Sequence, residues 1–177
     1  MEEIEVPLEK LQEDLHEHAH HATEKWIGRV ALSSALLAVC AAVGALLAGH
    51  HSNEAMILQI QASDHWSYFQ AKGIKSAILQ SKQQVLQGLG KDSSAQDQEK
   101  IEEYKKEQEE ISEKAKDKEK ESEHHLLHHQ ILAKAVTLFQ VAIAISAISV
   151  LVRRRYFWYV SLLFGASGIF FFIWGLI

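Results

Sequence analysis

The stretch Ile148-Ser149-Val150-Leu151-Val152-Arg153-Arg154-Arg155-Tyr156-Phe157-Trp158-Tyr159 decides the fold of this chain. Its three arginines separate two apolar runs, residues 131–152 and 156–177. Each run has about the twenty apolar residues that a helix needs to cross a hydrocarbon core of about 30 Å. A charge at the bilayer centre costs at least about 2.5 kcal/mol, so we expect the arginines to form a tight turn outside the membrane. Arginines clustered in a short loop indicate the cytoplasmic side.

The composition divides the chain into apolar and polar segments. The mean hydropathy of -0.09 is typical of a soluble protein, yet residues 27–49 and 131–177 are apolar, and 91–123 are almost all Glu, Lys, Gln, Asp and Ser. This division predicts a membrane protein with an extramembrane segment. The net charge of -5 comes without a basic patch, so we expect no nucleic-acid partner. A single cysteine, Cys40, excludes an intrachain disulfide.

Residues 1–25 precede the first apolar run and have a helical pattern of their own. Pro7 suits the first turn of a helix, and apolar residues then recur at three- and four-residue spacing. The polar face of this amphipathic helix is acidic, unlike the basic surface helices that bind anionic lipid. We therefore expect it to contact a partner protein or another copy of the chain.

The first predicted span covers residues 26–49 and starts at Trp26, a residue type typical of membrane interfaces. Lys25 at its start agrees with a cytoplasmic amino terminus. Small residues at three- and four-residue spacing allow two helices to approach closely in lipid. This face, which we expect to pack against another helix, contains Ser34, Ala38, Ala41, Ala45 and Ala48.

Residues 50–130 are predicted to form a long extramembrane antiparallel helical hairpin that resembles a coiled coil, with its tip near 88–95. The heptad seam of the first arm is predicted at Ile57, Ile60, Asp64, Ser67, Ala71, Ile74, Ile78, Ser81 and Val85. The seam of the second arm is predicted at Ile101, Tyr104, Gln108, Ile111, Ala115 and Lys118.

Further apolar side chains of the first arm lie off its predicted seam. They are Leu58, Trp66, Tyr68, Phe69, Leu79 and Leu86. Because exposed apolar groups of this number need another surface, neighbouring copies of the chain are the expected cover. The sequence therefore predicts a homo-oligomer, in which Trp66 and Phe69 serve as packing residues.

The second and third spans, residues 131–152 and 156–177, contain few polar side chains. Gln140 is expected to face protein rather than lipid. Small-residue faces are predicted at Ala142, Ser146 and Ser149 in the second span and at Gly165 and Gly168 in the third. The bulky segment 169–173 is expected to face lipid. An alternative reading makes the chain a channel or transporter subunit, with a polar path lined by Ser34, Gln140, Ser146 and Ser149.

Two groups of histidines are candidates for metal binding. His16-Glu17-His18-Ala19-His20 matches the H-E-x-x-H pattern of zinc peptidases, although it lies in a short histidine-rich helix with no walls for a cleft. The second group follows the first span and precedes the second, where the i,i+4 spacing suits one divalent metal ion or a pH sensor. It comprises His50, His51, His124, His125, His128 and His129. The simpler interpretation is that these histidines lie at a polar–apolar boundary, which suits an imidazole, and bind no ligand.

The chain resembles a known family over most of its length. Asn53-Glu-Ala, the run Ala62-Ser-Asp-His-Trp-Ser-Tyr-Phe-Gln-Ala-Lys-Gly-Ile-Lys75 and the order of span, polar hairpin and two spans are similar to a bacterial family of small membrane proteins. That family is known only as a domain of unknown function. The resemblance implies a protein of the bacterial cytoplasmic membrane and brings no activity with it.

These observations together predict an all-α protein with three transmembrane helices and no enzymatic activity. It is expected to reside in the bacterial inner membrane, with a cytoplasmic amino terminus and with the hairpin and carboxyl terminus in the periplasm. A cytoplasmic hairpin is the alternative topology, because the hairpin segment is longer than the loops to which charge counting applies. Its expected partners are membrane lipid and further copies of itself, and no small-molecule substrate or required cofactor is indicated. A homo-oligomeric scaffold or membrane organiser is the favoured function, and a channel subunit and a histidine-based metal or pH-responsive protein are the alternatives.

Overall fold

The computed structural model describes residues 25–92 and 94–177. These residues form three helices, α1 (Lys25–Gly88), α2 (Ala95–Leu151) and α3 (Arg155–Leu176), and they contain no strand. Each helix includes a segment long and apolar enough to cross a membrane. The predicted all-α fold with three spans is therefore confirmed, whereas the amphipathic segment predicted before Lys25 lies outside the described residues.

The connection between α1 and α2 is a turn that favours a glycine. The amide of Lys91 donates to the carbonyl of Leu86 at 2.9 Å, and the amide of Gly90 donates to Gln87 at 3.0 Å. These two bonds form a Schellman motif, whose central residue adopts a left-handed conformation. Gly90 has a φ of 70°, which costs glycine little because it has no Cβ.

The connection between α2 and α3 has the same hydrogen-bond pattern, with an arginine in the place of glycine. The amide of Arg154 donates to the Ser149 carbonyl at 3.1 Å, and the amide of Arg153 donates to Val150 at 3.2 Å. Arg153 adopts a φ of 54°, which is strained for a residue with a side chain. The exposed arginines thus lie in a turn so short that α3 begins at Arg155.

The described chain divides into two compact units. The span unit contains the described part of Met1–Ser52 together with Leu127–Ile177, and the hairpin unit contains Asn53–Leu126. Helices α1 and α2 contribute to both units, and α3 belongs to the span unit alone.

The two arms of the hairpin unit run antiparallel. Near the beginning of the first arm, the Ser122 hydroxyl donates to the Ala55 carbonyl at 2.8 Å. Near its end, the Lys82 ammonium group lies 2.7 Å from Asp97. Contacts therefore pair increasing residue numbers on α1 with decreasing numbers on α2, which defines the register of the hairpin.

The seam predicted for the first arm is wrong. Its apolar members are exposed, whereas most of the residues predicted to lie off the seam are buried or half-buried against α2. The observed seam contains Ala55, Leu58, Ala62, Trp66, Phe69, Ser76, Leu79 and Leu86. Several of these side chains are small, so the helices approach closely there. The prediction followed a four-three repeat that contains the isoleucines, and the observed seam follows a second repeat along the same arm. The seam predicted for the second arm is confirmed, since Ile101, Ile111 and Ala115 are at most 7 % exposed.

Helix packing in the span unit depends on glycine and serine in α3. A Cβ built on Gly165 would lie 3.0 Å from the Leu37 side chain, and one on Gly168 would lie 2.7 Å from the Phe139 ring. Both glycines are buried, as is Ser161. The predicted close packing at Gly165 and Gly168 is therefore confirmed.

Most small residues of the predicted faces of α1 and α2 are buried or half-buried in the span unit. Ser34 and Ser146 are buried, as are Ala142 and Ser149, and Ala38 and Ala41 pack beside Leu37. Ala45 is an exception, because it is exposed. The neighbouring Gly44 is buried in its place, and a Cβ built on it would lie 3.0 Å from Val136 of α2 and 3.4 Å from Phe172 of α3. Near Gly44, the packed face of α1 is therefore rotated by one residue from the predicted face.

The bulky segment 169–173 does not face outward as a whole. Ile169, Phe170 and Ile173 are exposed as predicted, whereas Phe171 and Phe172 pack against the core of the span unit. The helical period explains the difference, because five consecutive residues cover all sides of a helix.

Candidate functional site

The aromatic stretch of α1 that carries the family resemblance makes the main polar contacts of the hairpin unit. Six side chains take part, and we call them the clasp. They are Trp66, Phe69 and Lys72 of α1 and Glu107, Gln108 and Glu119 of α2.

Trp66 provides the first contact of the clasp. Its indole Nε1 donates a hydrogen bond of 2.8 Å to the Glu119 carboxylate. The Phe69 ring meets the indole edge-on, with 5.5 Å between the ring centroids. An edge-to-face pair of this kind adds about 0.5–1.5 kcal/mol beyond simple burial. Trp66 therefore joins the two arms by a polar bond and an apolar contact at once.

Lys72 provides the second contact. Its Nζ lies 2.6 Å from the Glu107 carboxylate, and it stands over the rings of Tyr68 and Tyr104 at 5.3 and 5.0 Å from their centroids. The hydrogen bond to Glu107 raises the pKa of Lys72, against a smaller opposing effect of desolvation, and Tyr68 adds to the rise. The ammonium group is thus held in its charged form by groups from both arms.

Gln108 provides the third contact, and a glycine makes room for it. Its side-chain amide donates to the Phe69 carbonyl at 3.2 Å. A Cβ on Gly73 would lie 2.8 Å from the same amide nitrogen. A residue larger than glycine at position 73 would displace Gln108. This close approach explains why a glycine is found inside the helix at this position.

The clasp fixes the alignment of the two arms and contains no pair of nucleophile and base. Trp66 and Phe69, predicted as packing residues, make their described contacts within the chain. The pairing of Trp66 with Glu119 and that of Lys72 with Glu107 were not predicted. These pairs could have been predicted from the opposite charges of residues that face one another in an antiparallel hairpin. That prediction requires the register of the two arms, which the sequence does not provide.

Histidines of the span unit tie its helices together. His129 Nδ1 lies 2.8 Å from the Ala48 carbonyl of α1, and His128 Nδ1 lies 3.0 Å from the Gly175 carbonyl of α3. A carbonyl only accepts hydrogen bonds, so each Nδ1 carries the proton that it donates. The ring of His51 stacks on that of His128 at 5.1 Å between centroids.

The six candidate metal ligands are divided between the two units. His50, with its ring 5.7 Å from that of His51, belongs to the span unit with His128 and His129. His124 and His125 belong to the hairpin unit, where their rings are 6.2 Å apart. Within residues 25–92 and 94–177, no three His, Cys, Asp or Glu side chains are grouped closely enough to hold a metal ion. The metal site stays a prediction, and the H-E-x-x-H segment lies outside the described residues.

Aromatic side chains surround the arginine turn. The Arg155 guanidinium lies over the Trp26 ring, 5.5 Å from its centroid, a distance typical of a cation–π contact. The Trp158 indole donates to the Ser33 hydroxyl at 3.2 Å. These contacts link the start of α3 to the start of α1, and they place the arginines beside an aromatic belt of the kind found at membrane interfaces.

Gln140 differs from the buried serines of the spans because it is exposed. Ser146 and Ser149 are buried and donate their hydroxyls to the backbone carbonyls of Ile143 and Arg154. Gln140 lies on another face of α2, together with the exposed residues Thr137 and Val141. No other helix in the described chain covers Gln140, so the protein contact predicted for it is not made among residues 25–92 and 94–177.

The comparison with known families adds one finding to this geometry. Residues 26–177 match the family described as Domain of unknown function (DUF4337). The chain belongs to the DUF4337 family. No curated protein and no solved structure matches it. The DUF4337 match includes the clasp, the histidines from His50 onward and the arginine turn. Its description assigns no activity to any of them, so the function is inferred from the exposed surfaces.

Proposed function

We propose that this DUF4337 protein is a non-enzymatic membrane scaffold that assembles from several copies of itself. The observation that supports this most directly is an apolar surface on the first arm of the hairpin unit. We call it the isoleucine face, and it consists of Ile57, Ile60, Ile74, Ile78 and Val85.

The isoleucine face is apolar, periodic and uncovered. Its five side chains are 48–62 % exposed. They lie at heptad spacing on the side of α1 away from the seam with α2, an arrangement typical of a helix that packs against two partners. Because α2 already covers the seam, a third helix is needed to cover the isoleucine face. The first arm of another copy is a helix with the same heptad spacing and could supply this cover.

The energy available on this face is modest. Burying a whole isoleucine contributes about 1.5–3 kcal/mol, so five half-exposed side chains would contribute roughly 5 kcal/mol. Association of free molecules costs about 4–15 kcal/mol in lost freedom. The face alone therefore supports weak binding. Confinement of the copies to one membrane raises their effective concentration and favours assembly.

A scaffold agrees better with the span residues than a channel does. The channel alternative needs Ser34, Ser146 and Ser149 to line a polar path with Gln140. The three serines are buried in the packing of one chain, and Gln140 lies on a different, exposed face of α2. The serine positions thus support helix packing. Ion flux through purified oligomers in liposomes, lost on Gln140→Leu, would instead support the channel.

We further propose the bacterial cytoplasmic membrane as the location. The positive-inside rule applied to Arg153–Arg155 places this turn and the amino terminus in the cytoplasm, and the hairpin and carboxyl terminus in the periplasm. A Cys40→Ala protein with Asp92→Cys at the hairpin turn tests this arrangement in intact cells. Labelling by an impermeant maleimide supports the periplasmic hairpin, and protection until the cells are lysed contradicts it.

The assembly itself is tested on the purified full-length protein in mild detergent and in nanodiscs. Light scattering coupled to size exclusion should give one stoichiometry greater than one. Ile74→Gln with Ile78→Gln should lower the association constant by at least about tenfold, because half-buried apolar area is lost. Gln59→Ala, a change at an exposed residue outside the isoleucine face, is the control and should leave association unchanged. A monodisperse monomer in both environments would overturn the proposal.

A further inference from the structure

Gln140 is a hydrogen-bonding side chain near the middle of a membrane span. The apolar part of α2 runs over residues 131–151, so Gln140 lies about 14 Å along the helix from its start at 1.5 Å per residue. Its side chain is exposed. In the described chain it makes no hydrogen bond, unlike Ser146 and Ser149 on the neighbouring face.

An exposed carboxamide at this depth requires a partner. The hydrocarbon core offers neither water nor headgroups, and a polar group transferred there without hydrogen bonds is strongly unfavourable. Glutamine is also short compared with lysine or arginine and does not reach the interface from mid-span. A lipid chain therefore does not satisfy Gln140, and another protein surface is needed.

We propose that the Gln140 side chains of two copies of this chain hydrogen-bond to each other across a contact between their α2 helices. This inference rests on the proposed self-assembly and identifies a contact within it. A carboxamide is both donor and acceptor, so two of them satisfy each other reciprocally around a two-fold axis. Copies inserted in the same orientation also carry Gln140 at the same depth, which places the two amides at one level.

The surroundings of Gln140 suit a helix contact. The Thr137 hydroxyl, one turn earlier, already donates to the Ala133 carbonyl at 2.9 Å and does not compete for the amide. Ala144, one turn later, is exposed and small, which permits a close approach of two helices in lipid. Lys134 is the nearest charged residue along α2. It lies six positions before Gln140, so its ammonium group can extend toward the interface.

Association of fluorescently labelled full-length protein in liposomes tests this pairing, with the lipid-to-protein ratio varied. Gln140→Leu should weaken association about three- to thirty-fold, the range expected for an interhelical hydrogen bond in lipid. Gln140→Asn, which retains the amide, should lose less. Val141→Leu changes the adjacent exposed residue and should have no effect.

Disulfide trapping locates the contact independently of affinity. In a Cys40→Ala background, Gln140→Cys should form a covalent dimer on mild oxidation in the membrane. Leu163→Cys, at an exposed position of α3, is the control and should stay monomeric.

The outcomes separate this inference from the proposed function. A wild-type protein that remains monomeric overturns both. An oligomer whose affinity is unchanged by Gln140→Leu, or that crosslinks through Leu163→Cys and not through Gln140→Cys, overturns the Gln140 pairing and leaves the scaffold proposal standing. An unrelated protein bound stoichiometrically, and lost on Gln140→Leu, overturns the pairing in favour of a different partner.

Discussion

The indole nitrogen of Trp66 and the carboxylate of Glu119 are joined by a hydrogen bond of 2.8 Å between the two arms of the hairpin unit. A bond from a neutral donor to a charged acceptor is stronger than one between neutral groups. It connects residues 53 positions apart in sequence, so it specifies which part of α2 faces the aromatic stretch of α1. The most distinctive run of this sequence thus acts as an alignment device.

Trp66→Phe should destabilise the hairpin by about 1.5–3 kcal/mol, the usual range for a hydrogen bond to a charged group. The substitution keeps an aromatic ring beside Phe69 and removes only the N–H donor. Thermal unfolding of the full-length protein followed by circular dichroism measures the effect. In a Glu119→Ala background the same change should cost much less, and equal costs in both backgrounds would show that the hydrogen bond does not contribute.

Lys72→Met should destabilise the protein at neutral pH and have little effect at strongly alkaline pH. The pKa of Lys72 is raised by its hydrogen bond to Glu107, so the charged lysine favours the folded state. That contribution is complete below the ordinary lysine pKa of 10.5 and is lost as the pH rises through the higher folded-state value. The difference in melting temperature between wild type and variant, measured from pH 8 to pH 11.5, should therefore shrink.

The control for this experiment is Lys75→Met. Lys75 is exposed on the same arm and makes no ion pair with another described residue. Its substitution should give a small difference that does not vary in the same way with pH. A Lys72 effect that persists unchanged at pH 11.5 would mean that packing, and not charge, is the cause.

Gly168→Ala should disturb the packing of α3 in the span unit. The added Cβ would lie 2.7 Å from the Phe139 ring and 3.3 Å from the Ala135 carbonyl, so a buried ring and a helix backbone would both have to move. Overpacking of this kind costs about 1–3 kcal/mol. Resistance to unfolding by sodium dodecyl sulfate should fall. Gly49→Ala has open space around the new Cβ and should be neutral or slightly stabilising.

Arg153→Gly should stabilise the turn between α2 and α3. A residue with a side chain in the left-handed region costs about 1–2 kcal/mol, which glycine avoids, and Arg153 has a φ of 54°. Arg154 has a φ of -119°, so Arg154→Gly removes the same charge without relieving strain and should not stabilise. A gain in melting temperature for both variants would implicate charge repulsion among the arginines instead.

The fold was largely predictable because its main determinants are long and repetitive. The lengths of the apolar runs give the number of spans, and Arg153–Arg155 with Gly90 mark the places where the chain turns. The solvation energy of about twenty apolar residues outweighs the local conformational preferences of single residues within the run. The three helices accordingly begin and end close to the sequence signals.

The face of α1 that meets α2 in the hairpin unit was not predictable in the same way. Two heptad series run along this arm, one with isoleucines and one with small residues, Trp66 and Phe69. Hydrophobicity favoured the isoleucine series, whereas the structure uses the other one. The choice depends on the shape of α2 and on pairs such as Lys72 with Glu107, which become visible only once the register is known.

The positions of the polar span residues were also only partly predictable. Gln140, Ser146 and Ser149 were all predicted to face protein. Ser146 donates to the carbonyl of Ile143 in its own helix, and Ser149 donates to the carbonyl of Arg154 in the following turn, so both serines can be buried at little cost. A glutamine in the same helix has no such local solution here, and its exposure was not evident from the pattern.

The turn at Arg153 is too short to absorb an extra residue between α2 and α3, which pack closely where Gly168 meets the Phe139 ring. Each residue of an α-helix advances the direction of the side chains by about 100°. An extra amino acid inserted after Val152 and absorbed into α3 would swing Gly165 and Gly168 away from Leu37 and Phe139. The loop at Gly90, Lys91 and Asp92 is exposed and carries no comparable restraint. Length variation among natural sequences of this kind should therefore be common at the hairpin tip and nearly absent at the arginines.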